Sequence, residues 1–369
     1  MKIASFNIEN IFHRDSNLVK RTLNDSINSW VEEFEHLMCK TPRGGNEIAR
    51  MRELSFLLGF HKSSFEPFVV MRRKAGELYL RKKNFKPEYR AVPMNGWNGW
   101  VKVNSKPIYE EATKNKARVI SDINPEIIVL QEVEDRQSLV DFNKYYLPEG
   151  VKFSNILMID GNDTEGRGLA LMTKEGFEVI NTRSYANFTH NGKVLFDKDL
   201  QEYEIELSKG ERLIILAVHL HDDSSHHEAG NDLRKQQAKK VAEVYAEKVK
   251  EGKQVVLAGT LNKPSFCDTI SPILRETTLK DLKRHSSFNV DLDEGRDADY
   301  FSLGAYRMGV NLKQKDYLLS SPEIFSRIKR SGLNRKGIWP AKKGQWSFYD
   351  TIHGQAHQAS SHPALWMEL

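Results

Sequence analysis

The chain has 369 residues, 39% hydrophobic and 28% charged, with a net charge of +5 and a pI near 8.9. This is enough for a sizeable core and too mild a basic excess for a dedicated nucleic-acid-binding arm. Cys39 and Cys267 are the only cysteines, which excludes a disulfide scaffold or a cysteine-ligated metal, and no apolar run approaches the ~18 residues of a membrane span. With no signal-peptide core in the opening residues, the expectation is a soluble cytoplasmic protein with no membrane partner.

In chain order, Lys2 to Phe6 reads as a short strand that runs directly into Asn7, Glu9 and Asn10. From about Phe12 to Pro107 the pattern loosens, with helical stretches at 18–39 and 47–60 followed by a basic, aromatic segment. Residues 41–108 carry 14 Lys and Arg against 5 Asp and Glu, an excess of nine that exceeds the net charge of the whole chain. Arg72-Arg73-Lys74 and Arg81-Lys82-Lys83 alternate there with Tyr79, Phe85 and Tyr89. Cations that contact phosphates and aromatics that stack on bases suit nucleic acid; a solvated hairpin whose aromatics pack on the main domain is the other reading.

Ile108 to Ile123 has helical spacing and is stopped by Asn124-Pro125. Glu126 to Gln131 is a buried strand that terminates in Glu132. Gly161 to Arg167 is a polar turn feeding a strand over 169–173. Leu213 to Val218 is an unbroken apolar run ending on His219. The segment 231–250 is a helix with Ala238, Val241, Ala242, Tyr245 and Val249 on one face. Val255 to Ala258 then repeats the strand pattern and stops at Gly259, ahead of Thr260 and Asn262. Lys315-Asp316 opens a strand at 317–319, and Ser360-Ser361-His362-Pro363 precedes a final one.

Asn7, Glu132, His219, Asn262, Asp316 and His362 thus all lie at the boundaries of core strands, and strands packed in register would bring them to one rim. Carboxylate and amide oxygens suit a hard divalent cation, and two imidazoles can move protons, which together point to phosphoester hydrolysis. Zinc fits less well. His353 and His357 have helical ligand spacing, but Gly354 and the polar run around them argue for a loop, and His226-His227 read as solvated surface.

The ordered set of motifs, 6–10 (Phe-Asn-Ile-Glu-Asn), 130–133 (Leu-Gln-Glu-Val), 161–163 with Arg167-Gly168, His219-Leu220, Arg234 and Gln237, 259–262, 315–319 and 360–363, resembles the endonuclease/exonuclease/phosphatase superfamily, deoxyribonuclease I-like in character. The resemblance implies a four-layered α/β sandwich, two mixed β-sheets packed face to face with flanking helices, as one domain over 1–369 with the basic insertion at about 12–107. It implies Mg²⁺ or Mn²⁺ held by Glu132 and Asn7, an Asp316–His362 carboxylate–imidazole pair serving as base, His219 as acid, and Asn262 on the scissile phosphate. Arg167, with Arg72, Arg73, Arg81 and Lys82 of the insertion, would bind substrate.

Two positions depart from the family pattern: Thr260 and Ser361 stand where it has aspartate. Hydroxyls offer only neutral oxygens, so a second cation site is weakened. The expectation is a divalent-metal-dependent phosphodiesterase, a nuclease on DNA or RNA. The alternatives are a catalytically degraded relative kept for nucleic-acid binding or structure, or an enzyme acting on a small or lipid phosphoester. Glu9, Asp222 and Asp268 are the acidic residues that could replace the missing charge.

Overall fold

The computed structural model describes residues 1–11; 29–57 apart from 31, 35, 38, 39 and 41; 69–73; 99–103; and 108–369 apart from 164, 165, 208, 209, 223–227, 291–313 and 341–345. Its strands are β1 (Lys2–Asn7), β2 (Val69–Arg73), β3 (Gly99–Val103), β4 (Ile127–Val133), β5 (Asn155–Ile159), β6 (Gly168–Thr173), β7 (Glu178–Ser184), β8 (Thr189–His190), β9 (Lys193–Val194), β10 (Asp199–Glu206), β11 (Arg212–His219), β12 (Gln254–Thr260), β13 (Lys280–Asp281), β14 (Phe288–Val290), β15 (Asp316–Ser320), β16 (Arg330–Asn334) and β17 (Ala364–Glu368). The longer helices are α1 (Gly45–Leu57), α2 (Glu110–Ile123), α3 (Arg136–Tyr145) and α4 (Glu228–Lys250).

The central strands are apolar on both faces, so each must be covered twice. One sheet has the order β14-β16-β17-β1-β4-β6-β5 and the other β13-β15-β12-β11-β10-β7. Both are mixed: β1 with β4 and β11 with β12 are parallel, whereas β1 with β17 and β12 with β15 are antiparallel. Alternation sends Ile3, Ile127, Val129 and Leu171 inward against Ile215, Ala217, Val256 and Leu318 of the facing sheet. The intervening positions point outward. Phe6, Ile128 and Leu130 meet Ile120 of α2 and Phe142 of α3, while Ile214, Leu216 and Leu257 meet Ala238, Val241, Val244 and Tyr245 of α4. The result is the expected four-layered α/β sandwich.

Local signals set the helix ends. Asn124 takes a left-handed φ of 50° and its N–H returns to Ile120 O at 2.8 Å, while Pro125 prevents continuation. Asp135 caps α3 by accepting from Ser138 N at 2.7 Å. The expected apolar face of α4 is corrected at its end: Val249 is 41% exposed. Steps of four residues drift ~40° around a helix with each repeat, so the row 241, 245, 249 leaves the sheet. Among the described residues, 12–107 adds no strand to either large sheet; β2 and β3 form a separate antiparallel hairpin. No helix among the described residues is long and apolar enough to cross a membrane.

Candidate active site

Parallel strands in register end together, and here that places β1 beside β4 at Asn7 and Gln131, and β11 beside β12 at His219 and Thr260. Antiparallel β15 begins at the same rim, with Asp316 opposite Thr260. Glu132 reaches the rim through a bulge. Gln131 pairs with Leu169 but Val133 with Gly168, leaving Glu132 as the extra residue at a φ of 60°. A bulge re-aims a side chain that would otherwise follow the strand's alternation. Glu9, Asn10 and Asn262 also have left-handed φ values of 48°, 63° and 61°. Such backbone is uncommon for residues other than glycine, and it gathers here around one cleft.

A hydrogen-bonded chain links four strands. Asn7 Nδ2 donates to Glu132 Oε1 at 3.1 Å and to Thr260 Oγ1 at 3.2 Å. Thr260 donates to Asp316 Oδ1 at 2.8 Å, and Asp316 Oδ2 lies 2.7 Å from His362 Nδ1. A carboxylate can only accept, so Nδ1 carries the proton. His219 Nε2 is 3.8 Å from Glu132 Oε1, and Arg167 Nη1 is 3.7 Å from Glu132 Oε2 while its Nε donates to Asp163 at 3.0 Å. Asn262 closes the group through backbone: its amide donates to Leu220 O at 2.8 Å and its N–H to Lys315 O at 3.2 Å.

The two imidazoles are tuned in opposite directions. Burial opposes charge on His362, but Asp316 outweighs it through charge and hydrogen bond, aided by Glu9 and Glu132, and raises the pKa to about 9. Burial holds His219 well below the usual imidazole range, reinforced by the positive charges of Lys198, Arg167, His362 and Lys315. At neutral pH His362 is the cation and His219 the neutral ring.

Of the acidic residues that could reach the site, Glu9 does so. Its carboxylate accepts from Ser361 N at 2.8 Å and from the Ser361 hydroxyl, and it lies 3.9 Å from His362 Nε2. Asp268 instead pairs at 3.4 Å with Arg275, its own side chain 82% exposed, and Asp222 is exposed. Lys116, fully buried on α2, ties the two segments together by donating to Ile8 O at 2.7 Å and to Ala359 O.

Whether these residues suit a divalent cation depends on the donors they present. Glu132 offers a carboxylate that is 14% exposed. Asn7 turns its amide nitrogen toward Glu132, because its Oδ1 accepts from Glu9 N at 3.1 Å. The opposite rotamer would set oxygen against carboxylate and NH₂ against N–H. Among the described residues there is no group of three His, Cys, Asp or Glu that could hold a metal. The donor set therefore fits one hard cation on Glu132, completed by water and substrate oxygens, and does not fit a second. Thr260→Asp tests this. It brings a carboxylate against Asp316, so in EDTA it should lower stability by about 1–3 kcal/mol, and millimolar Mg²⁺ or Mn²⁺ should restore the melting temperature. A melt insensitive to EDTA would show that the added charge finds no cation.

The six expected strand-end residues meet in this cleft, and Arg167 joins them. Arg72 and Arg73 belong to β2, where backbone alone is described; Arg81 and Lys82, like His226-His227, lie outside the described residues. His357 sits in a single turn at Gln355–His357, its ring 5.8 Å from that of His353. Sequence reasoning missed Lys198, 8% exposed beside His219, and Lys116. A lysine in the run Phe196-Asp197-Lys198-Asp199 reads as a polar turn, and only the tertiary fold buries it.

No family model and no curated protein matches the chain. Solved structures similar to it include an endonuclease/exonuclease/phosphatase from Bacteroides vulgatus (16% identity, 69% of this chain and 89% of that one, TM-score 0.47). The Bacteroides thetaiotaomicron mannosyl-6-phosphatase is 14% identical over 70% of this chain and 91% of its own, with a TM-score of 0.47. The human Nocturnin catalytic domain with bound sulfate is 14% identical over 70% and 86%, with a TM-score of 0.46. At such scores these likenesses carry no residue and no activity over to this chain. The paired mixed sheets with flanking helices are the architecture that the resemblance of the ordered motifs implies.

Proposed function

We propose that the chain is a phosphoester hydrolase of the endonuclease/exonuclease/phosphatase type that cleaves phosphodiesters of nucleic acid with Mg²⁺ or Mn²⁺. One observation carries the reading: the unbroken chain Glu132–Asn7–Thr260–Asp316–His362, drawn from five separate segments, with His219 beside it. A structural rim has no need of a carboxylate–imidazole pair next to a second, oppositely tuned imidazole.

A cation on Glu132, when bound, would polarise a phosphoryl oxygen. The protein's own part follows from the resting charges. Asp316 fixes His362 with a proton on each nitrogen, so Nε2 can donate to phosphate or to the departing oxygen. His219, kept neutral, can accept a proton from the attacking water. Asn262 has a second amide N–H beyond the one given to Leu220 and can offer it to the phosphate. The basic excess of residues 41–108 supports nucleic acid as the substrate class.

The decisive assay offers single-stranded and duplex DNA, RNA, phosphoinositides and a small phosphomonoester, each with Mg²⁺, Mn²⁺ or EDTA. Cation-dependent cleavage of a nucleic acid is expected, and His219→Ala should reduce kcat about a hundredfold or more. The competing reading, a degraded relative kept for binding, is favoured by Thr260 Oγ1 standing where the family has a carboxylate. It forecasts no cleavage of any substrate by the wild type.

A further inference from the structure

The segment between β16 and β17 lies against α2 and carries a pair of exposed aromatic rings. Trp339 and Phe348 are each 37% exposed, and their ring centroids are 5.3 Å apart at an interplanar angle of 69°. An edge-to-face contact occupies one ring face only, so others stay open to a third flat ring. The backbone beneath the pair is firmly held. Trp339 N donates to Gln358 Oε1 at 3.2 Å, Tyr349 N to Lys336 O at 2.9 Å, and the indole N–H of Trp346 to Ile338 O at 3.2 Å. Tyr349 in turn donates its hydroxyl to Asp122 of α2 at 2.9 Å. Gly337 packs so closely that an added Cβ would stand 2.7 Å from Val119 of α2 and 2.8 Å from Ala359. Both ends of the segment reach the rim of the cleft: Asn334 pairs with Ala364, and Ser360 donates to Asn7 O. Gln358, which holds Trp339, precedes His362 by at most about 14 Å of extended chain. Residues 335–358 carry four Lys and Arg against one acidic residue, Asp350, which Arg118 already engages at 2.7 Å.

We propose that Trp339 and Phe348 form a stacking site for an unpaired nucleobase, a few nucleotides along the same nucleic-acid strand from the phosphate at His362. The basic balance of the segment attracts the phosphates, and the rings take the base. Holding the rings in place beforehand spares the ordering cost on binding. Paired bases keep their faces inside the duplex, so single strands are preferred. This deepens the nucleic-acid reading and rests on it for the class of substrate.

Fluorescence anisotropy of the full chain in EDTA tests the site with three probes: a short thymidine oligomer, an abasic oligomer of equal length, and a duplex. Trp339→Ala and Phe348→Ala should each weaken the thymidine oligomer about fivefold or more and leave the other two within about threefold. Trp339→Phe should retain binding of the thymidine oligomer within about threefold. Thermal melts check that the variants fold. If they do not, wild-type protein decides: an oligomer carrying iododeoxyuridine should photo-crosslink to Trp339 or Phe348, as located by mass spectrometry. Equal losses on the thymidine and abasic oligomers, no loss on either, or crosslinking elsewhere would overturn the proposal. So would self-association in sedimentation that Trp339→Ala abolishes, since the rings would then belong to a contact with a second copy. The two readings fail separately. Trp339-dependent binding by a protein that cleaves nothing removes the hydrolase reading alone, and cation-dependent cleavage of single strands that Trp339→Ala leaves untouched removes the stacking site alone.

Discussion

Asp316→Asn is expected to lower kcat about a thousandfold, because it removes the carboxylate that keeps His362 protonated and correctly oriented. The wild-type rate should hold across neutral pH and fall as His362 loses its proton near pH 9. In the variant, burial acts on the imidazole with less opposition, and the alkaline limb should move down toward or below the ordinary value of 6.5. Stability should follow the same group. The folded pKa is raised above the unfolded one, so the stabilisation is complete below about pH 6.5 and is lost as pH climbs through about 9. A shift from 6.5 to about 9 corresponds to about 3 kcal/mol at most. His219 has the opposite sign: its depressed pKa makes folding less favourable as pH falls below about 6.5. Melting temperature should therefore slope down on the alkaline side in the wild type and flatten there in Asp316→Asn. Identical alkaline slopes in the two proteins would show that the pair does not hold the proton.

The second large effect is structural. Gly259 has a φ of 155°, and an added Cβ would stand 1.8 Å from Val218 O in the neighbouring strand. Backbone cannot yield there without breaking the β11–β12 pairing that sets His219 against Thr260. Gly259→Ala should destabilise by about 4 kcal/mol or more, read by urea denaturation, and the loss of activity should exceed what the remaining folded fraction explains. A variant with wild-type stability would mean that the close approach is not maintained in solution.

Much of this site was legible in the sequence because a buried strand announces its own end. The apolar runs closing at His219 and Gly259, and the run before Glu132, stop where solvent begins, and parallel pairing then collects those ends at one rim. The convergence of Asn7, His219 and Asp316 follows from strand positions alone, whereas Glu132 also needs its bulge and Asn262 a left-handed turn. Glu9 could be named as a reserve carboxylate, but its approach to Ser361 depends on left-handed turns at positions 9 and 10 that no periodicity encodes. Lys116 and Lys198 were invisible for a related reason. Burial of a lysine is decided by carbonyls and cavities supplied from distant segments, and a lone lysine in a helix or turn looks like any solvated one. The opposite tuning of the two histidines was equally unreadable, since it depends on which ring faces carboxylates and which faces cations.

The antiparallel pairing of β1 with β17 has a temporal consequence. Ser360 closes on the backbone of Asn7 across 353 residues of chain, and β1 has β4 on one side and β17 on the other. At ribosomal rates of roughly 5–20 residues per second, β1 waits on the order of tens of seconds for that second neighbour. During this interval one edge of an apolar central strand stays open to pairing with other chains. Nascent chains stalled before residue 360 should therefore be captured by chaperones and cut readily by protease, and emergence of the β17 segment Ala364–Glu368 should end both together.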